Sequence, residues 1–220
     1  MTALPPKYEA ALIAYIALYD NCNKSTCWKS IGEAIRKYGS PYTGVVYRGH
    51  SAANSEIRAE TPFFSTSPVR QMAELFVETN WNASEDGTKI GHLFKIHLVN
   101  VPVLRTDQIL YTFTEEVISE LRRLNGDRKI SKGSGVYTFD EYLPYLKKTI
   151  DNLVFQRTPG NDTEILVLSG GTFYISNDMK QKGYSEAGND RMHVLETWYT
   201  FSTGGSRRTR RRKRSRKTKK

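Results

Sequence analysis

Apolar residues recur at helical spacing twice near the start of the chain. Ala11, Leu12, Tyr15, Ile16 and Tyr19 share one face of residues 7–20, and Trp28, Ile31 and Ile35 repeat the pattern over residues 26–38. The spacing predicts two N-terminal helices, the second stopped by Gly39-Ser40-Pro41. The period then changes. Gly44-Val45-Val46-Tyr47-Arg48-Gly49 reads as a short buried strand that ends at a glycine. Pro62-Phe63-Phe64-Ser65-Thr66-Ser67-Pro68 reads as an aromatic strand running into a helix, with Ser67 as N-cap and Pro68 at the first helical position. That helix is expected to turn Met72, Leu75 and Phe76 inward.

Residues 92–99 alternate Leu93, Lys95 and His97 with Phe94, Ile96 and Leu98, the signature of a half-buried strand. Further strands are predicted at residues 165–168, 172–175 and 193–201, with Gly170-Gly171 suggesting a tight hairpin between the first two. Helices are predicted at residues 115–124 and 140–152, separated by a glycine-rich, charged loop. No internal repeat is found. Strands and helices do not alternate regularly, so the fold class is α+β with mixed or antiparallel sheets.

Charge divides the chain in two. It holds 33 Lys and Arg against 23 Asp and Glu, yet residues 207–220 contain 11 of the basic residues and no acid, leaving 22 against 23 for the remainder. A near-neutral domain over residues 1–205 is therefore expected to carry a disordered basic tail over residues 206–220, joined through Gly204-Gly205-Ser206. Such a tail attracts nucleic acid or another polyanion by counterion release, largely without regard to sequence. Nuclear import and packaging both fit it, and its composition resembles the tails of proteins from large DNA viruses. Cys22 and Cys27 have no second pair to complete a zinc site, so no metal is expected. With no secretion signal or membrane-length apolar run, a soluble intracellular location is expected.

Three separated segments carry the chemistry: Tyr47-Arg48-Gly49-His50, Phe63-Phe64-Ser65-Thr66-Ser67, and Glu164 ahead of Ile165-Leu166-Val167-Leu168. In this order and context the chain resembles the Arg-Ser-Glu class of mono-ADP-ribosyltransferases, which includes bacterial binary-toxin enzymes and arginine-specific vertebrate enzymes. The resemblance covers roughly residues 7–205, although only the three short segments are specific. It implies the ADP-ribosyltransferase fold: two mixed or antiparallel sheets forming an NAD cleft, with helices at the N-terminus. The long helical stretch over residues 113–153 is not needed by compact members of that class and is expected to be an insert, a lid or a docking element.

The residue types suit the task independently. A guanidinium grips the phosphates of NAD in a fork that an ammonium lacks, which assigns that grip to Arg48. Cleaving the nicotinamide–ribose bond leaves positive charge on the sugar, so the carboxylate of Glu164 stabilises the transition state more than the ground state. The resemblance implies that Ser65 hydrogen-bonds Glu164, that Thr66 and Ser67 support the strand and ribose site, and that Phe76 stacks on nicotinamide. Gly49, lacking a Cβ, lets backbone approach the carboxamide. His50 is a candidate for the adenosine side. Asp162, two positions before Glu164, occupies the place where arginine-modifying members have a second acid, which favours a guanidinium acceptor, although its side chain is one methylene shorter. Residues 155–161 are expected to form an exposed recognition turn.

Taken singly, each segment has an ordinary reading: a strand end with a salt bridge, a hydroxyl cap, a core phenylalanine, a turn aspartate. Taken together they support a mono-ADP-ribosyltransferase that uses NAD as cosubstrate, releases nicotinamide and modifies a protein side chain, arginine being favoured. The competing readings are an NAD glycohydrolase, with water in place of the guanidinium, and a catalytically weak binding module tethered to nucleic acid by its tail.

Overall fold

The computed structural model describes residues 1–18, 24–50, 61–82, 91–155, 164–175 and 192–201. Both N-terminal helices form, α1 over Pro6–Ala17 and α2 over Lys24–Tyr38. Helix α1 buries every residue from Tyr8 to Ala14. Such all-round burial requires neighbours on several sides, and the small side chains of Ala10, Ala11 and Ala14 let them approach closely. Its one buried acid, Glu9, accepts hydrogen bonds from the backbone N–H and hydroxyl of Thr112. Cys27, buried on α2, is disulfide-bonded, a state that reducing compartments disfavour.

The neighbours of α1 include α2 and the two later helices, α4 (Glu115–Asn125) and α5 (Phe139–Phe155). Val117, Leu121, Leu146 and Ile150 from these helices share one apolar cluster with Leu12, Ile13, Ile31 and Ile35. Helices α4 and α5 thus complete the core that holds α1. Thr114 caps α4 by accepting from Val117 N–H, and Thr138 with Glu141 forms a reciprocal capping box at the start of α5. The loop between these helices contains a short hairpin that the sequence pattern did not predict, β6 (Ile130–Lys132) with β7 (Gly135–Tyr137). At the N-terminus, β1 (Thr2–Ala3) pairs in parallel with β5 (Ile109–Leu110).

The main sheet has six strands: β2 (Ser40–His50), β3 (Phe63–Thr66), β4 (Gly91–Arg105), β8 (Ile165–Leu168), β9 (Thr172–Ile175) and β10 (Met192–Thr200). Strand β4 is its spine. It pairs antiparallel with β2 along nearly its whole length, in parallel with β10 over Gly91–Val99, and antiparallel with β8 over Val103–Arg105. It runs six residues past the predicted end at Val99. Asn100 takes a left-handed conformation (φ 52°) at a bulge and donates its N–H to Thr43 Oγ1, while Pro102 lies opposite Pro41, so the strand continues through both.

This single sheet divides into two arms joined through β4. One arm is β8 with β3 and the other is β10 with β9. They share a core in which Phe64 of β3 meets Tyr199 of β10 edge-on at 5.2 Å and Phe173 of β9 at 5.4 Å. The mixed strand pairing and the helices establish an α+β fold.

Gly170-Gly171 does not close a hairpin. Strand β8 pairs with β3 and β4 while β9 pairs with β10, so the glycines form a corner where the chain passes between arms. Gly170 has φ 101°, and a Cβ on Gly171 would sit 2.3 Å from the carbonyl oxygen of Thr200. Fully buried Tyr199 ties the corner: its hydroxyl donates to Leu168 O at 2.7 Å and accepts from Gly171 N–H at 2.8 Å. Replacing Tyr199 with Phe keeps the ring and strands both backbone groups in the core, with an expected loss of about 1–3 kcal/mol. Urea unfolding checks this: the midpoint should fall with the slope unchanged, and an unaltered midpoint would contradict the role of the hydroxyl.

Candidate active site

Strand pairing brings the three sequence segments together. Tyr47 of β2 faces Lys95 across the sheet and turns its own N–H and C=O to the other edge, where it exchanges both bonds with Ser67 at 2.7 and 2.8 Å. This bridge closes a circuit through β2, β4, β8 and β3. It also corrects the capping prediction. Ser67 is bound into the sheet, Pro68 and Val69 bend, and helix α3 starts only at Arg70, running to Asn82. The Ser67 hydroxyl still accepts from Val69 N–H at 3.0 Å, stabilising the bend.

Within the circuit Arg48, next to Tyr47, donates from Nη1 to the carbonyl of Ser65 at 2.6 Å. Ser65 Oγ donates in turn to Glu164 Oε1. Glu164 immediately precedes β8, and its backbone carbonyl accepts from both the N–H and the hydroxyl of Thr106, each at 3.1 Å, just beyond the end of β4. Buried Thr66 donates to Ile165 O at 2.9 Å, securing the first residue of β8 against β3. Both the backbone and the carboxylate of Glu164 are thus fixed, which matters because a carboxylate has directional value only when its rotamer is held.

A second hydroxyl reaches the same oxygen. Tyr15, near the end of α1, donates to Glu164 Oε1 at 2.7 Å, with its ring set edge-on against Phe63 at 5.4 Å. Burial pushes the Tyr15 phenol far above its ordinary range, and the charge of Glu164 and the hydrogen bond to it add in the same direction. Tyr15 therefore stays a neutral donor wherever Glu164 is ionised.

These groups line one cavity of about 640 Å³. Arg48, Gly49, Ser65, Thr66, Ser67 and Glu164 contribute its polar side, Tyr15, Ile16 and Trp28 of the N-terminal helices form one wall, and Met72, Ala73 and Phe76 of α3 form another. Phe76 is 60 % exposed, so it stands at the cavity as an accessible ring instead of filling the core. The predicted inner face of α3 is revised accordingly. Ala73 and Val77 pack inward against Leu93, whereas Leu75 is half exposed and Met72 borders the cavity.

Gly49 lines the cavity too, but its missing Cβ makes room for α3. A Cβ there would lie 1.9 Å from Ala73 O and 2.8 Å from Val77 Cγ2. Asp162 and residues 156–161 of the expected recognition turn lie outside the described residues, as do the side chain of His50 and the tail. Tyr15, Trp28 and Thr106 were not among the site residues read from sequence. For Tyr15 the available signal was a phenol on an otherwise apolar helix face, since a buried tyrosine hydroxyl needs a partner.

No protein-family model matches the chain, and no curated protein matches it in sequence. Among solved structures, the chain is similar to Vis toxin, an ADP-ribosyltransferase from Vibrio splendidus, with a TM-score of 0.44 and 12 % identity over 93 % of this chain and 77 % of that one. A structure of Vis in complex with agmatine gives 0.45 and 12 % over 91 % and 77 %. An ADP-ribosyltransferase from Clostridium botulinum gives 0.40 and 12 % over 90 % and 88 %.

Gly49→Ala would drive a methyl group into the backbone of α3 and move the wall that carries Phe76. The expected cost is about 1–3 kcal/mol or more, as for other overpacked positions. Thermal unfolding measures it, and a melting temperature equal to that of the parent would contradict the close packing of β2 and α3.

Proposed function

We propose that the cavity binds NAD and that the protein is a mono-ADP-ribosyltransferase, releasing nicotinamide and moving ADP-ribose to a protein side chain, with arginine the favoured acceptor. One observation carries this reading. Arg48, Ser65 and Glu164, drawn from segments as far as 116 positions apart in the chain, are joined by direct hydrogen bonds in a single cavity.

The donor set fits such a cosubstrate. A guanidinium with five N–H donors suits a pyrophosphate, the Ser67 hydroxyl, which accepts from Val69 and can still donate, suits a ribose, and the accessible ring of Phe76 suits a flat pyridinium. The volume lies within the range of ligand cavities, about 300–1,000 Å³. What bound NAD supplies is a glycosidic bond whose electron pair leaves with nicotinamide while positive charge develops on the sugar. Glu164 meets that charge with a carboxylate already oriented by Ser65 and Tyr15, so little reorganisation is needed at the moment of reaction. The apolar wall of Ile16, Trp28 and Phe63 lowers the local dielectric and strengthens the effect.

The acceptor reading rests on Asp162. A carboxylate two residues before Glu164 pairs with an incoming guanidinium and takes the proton that its nitrogen loses as it bonds to the sugar carbon. The alternatives differ in products: water as acceptor gives free ADP-ribose, and a binding module gives no nicotinamide.

The test uses labelled NAD with an arginine-rich acceptor protein. Glu164→Gln keeps an oxygen for Ser65 and Tyr15 to donate to, so it should fold normally yet lose nicotinamide release by a factor on the order of 10²–10³. Asp162→Asn should lose label transfer while sparing nicotinamide release. Nicotinamide release undiminished in Glu164→Gln would refute the assignment, and a parent protein that releases none would favour the binding module.

A further inference from the structure

Two hydroxyl donors converge on one oxygen of Glu164, from different parts of the fold. Ser65 belongs to β3, whereas Tyr15 comes from α1 across 149 positions of sequence. We propose that Tyr15 is a positioning residue: α1 reaches into the site to fix the Glu164 carboxylate, so the N-terminal helix is a working part of the catalytic apparatus as well as a core element. This deepens the proposed function and rests on it for its catalytic consequence.

A carboxylate at a strand end can rotate about its terminal torsion, whose energy well is broad and roughly two-fold, so a single donor leaves it orientational freedom. A second donor on the same oxygen narrows that freedom and fixes which oxygen is engaged. Tyr15 is suited to the task because it is itself held: the residues preceding it in α1 are buried in the main core, and its ring is set against Phe63, one residue from β3's Phe64 and two from Ser65. The phenol is also neutral throughout the range in which the carboxylate ionises, so it donates to the charged form and does not compete as a base. A donor to the ionised form stabilises that form, which gives the proposal a signature separate from packing.

Tyr15→Phe removes only the hydroxyl and leaves the ring on Phe63. The first readout needs no turnover: the side-chain carboxyl carbon of Glu164, labelled and followed by NMR through a pH titration in the full chain. Loss of a charge-assisted donor should raise its titration midpoint by about one unit. The second readout is kinetic. The turnover number for nicotinamide release should fall about tenfold, with KM for NAD little changed and the acid limb of the pH profile moving up in step with the NMR midpoint. Tyr15→Phe combined with Ser65→Ala should be non-additive, because both act through the same oxygen.

An unchanged NMR midpoint in Tyr15→Phe overturns the proposal whether or not the protein cleaves NAD. A loss of activity accompanied by an equal drop in thermal stability and no shift of the acid limb also overturns it, since that is what a packing role gives. If the parent protein releases no nicotinamide while the midpoint shifts as expected, the proposed reaction fails and the positioning of Glu164 by Tyr15 stands.

Discussion

The hydrogen-bonded ladder along β4 is the constraint to which the other features answer. Its fifteen residues pair with β2 on one edge and with β10 and then β8 on the other. Two strands attached end to end along one edge cannot both continue flat, and here they separate into arms that enclose Phe64, Phe173 and Tyr199. The same pairing sets Tyr47 so that its free edge meets Ser67, and that one bridge brings the guanidinium of Arg48 to β3. Register carries the consequence: slipping β2 by one residue would exchange the face of Arg48 with that of Tyr47.

On this frame stands a partly buried carboxylate that must be satisfied. Glu164 is held by its backbone through Thr106 and by its side chain through Ser65 and Tyr15. Both hydroxyls donate to its Oε1, so the carboxylate is hydrogen-bonded where it leaves solvent. The arrangement explains why so much of the core surrounds α1. The cluster shared by α1, α2, α4 and α5 fixes the helix from which Tyr15 projects, so stability in the core is converted into precision at the site.

Much of this was legible in the sequence, for physical reasons that also explain what was not. The helices at the N-terminus, α4 and β8 have strong periodicity or clear caps, and local signals suffice for such elements. Arg48, Ser65 and Glu164 were singled out together because the order and local context of their segments resemble those of the Arg-Ser-Glu class of mono-ADP-ribosyltransferases. The continuation of β4 through Asn100 and Pro102 was hidden because local chemistry argues for a stop there and only pairing with β2 overrides it. The Gly170-Gly171 corner was misread as a hairpin because two glycines permit either, and the choice is made by distant Tyr199. The face of α3 was misplaced because Phe76 and Leu75 look like core residues, whereas Gly49 admits the backbone around Ala73 and thereby selects that side for burial. Tyr15 was counted as apolar, since its partner lies 149 positions away.

We expect this cavity to hold NAD through Arg48 beside Glu164. Calorimetric titration of NAD into full-length protein carrying Glu164→Gln, where turnover is suppressed, tests it most directly. One NAD should bind per chain, with at least a roughly tenfold weaker affinity when Arg48→Ala is added, since a charge-assisted phosphate contact is worth about 1.5–3 kcal/mol. Absence of binding, or an affinity indifferent to Arg48, would contradict it.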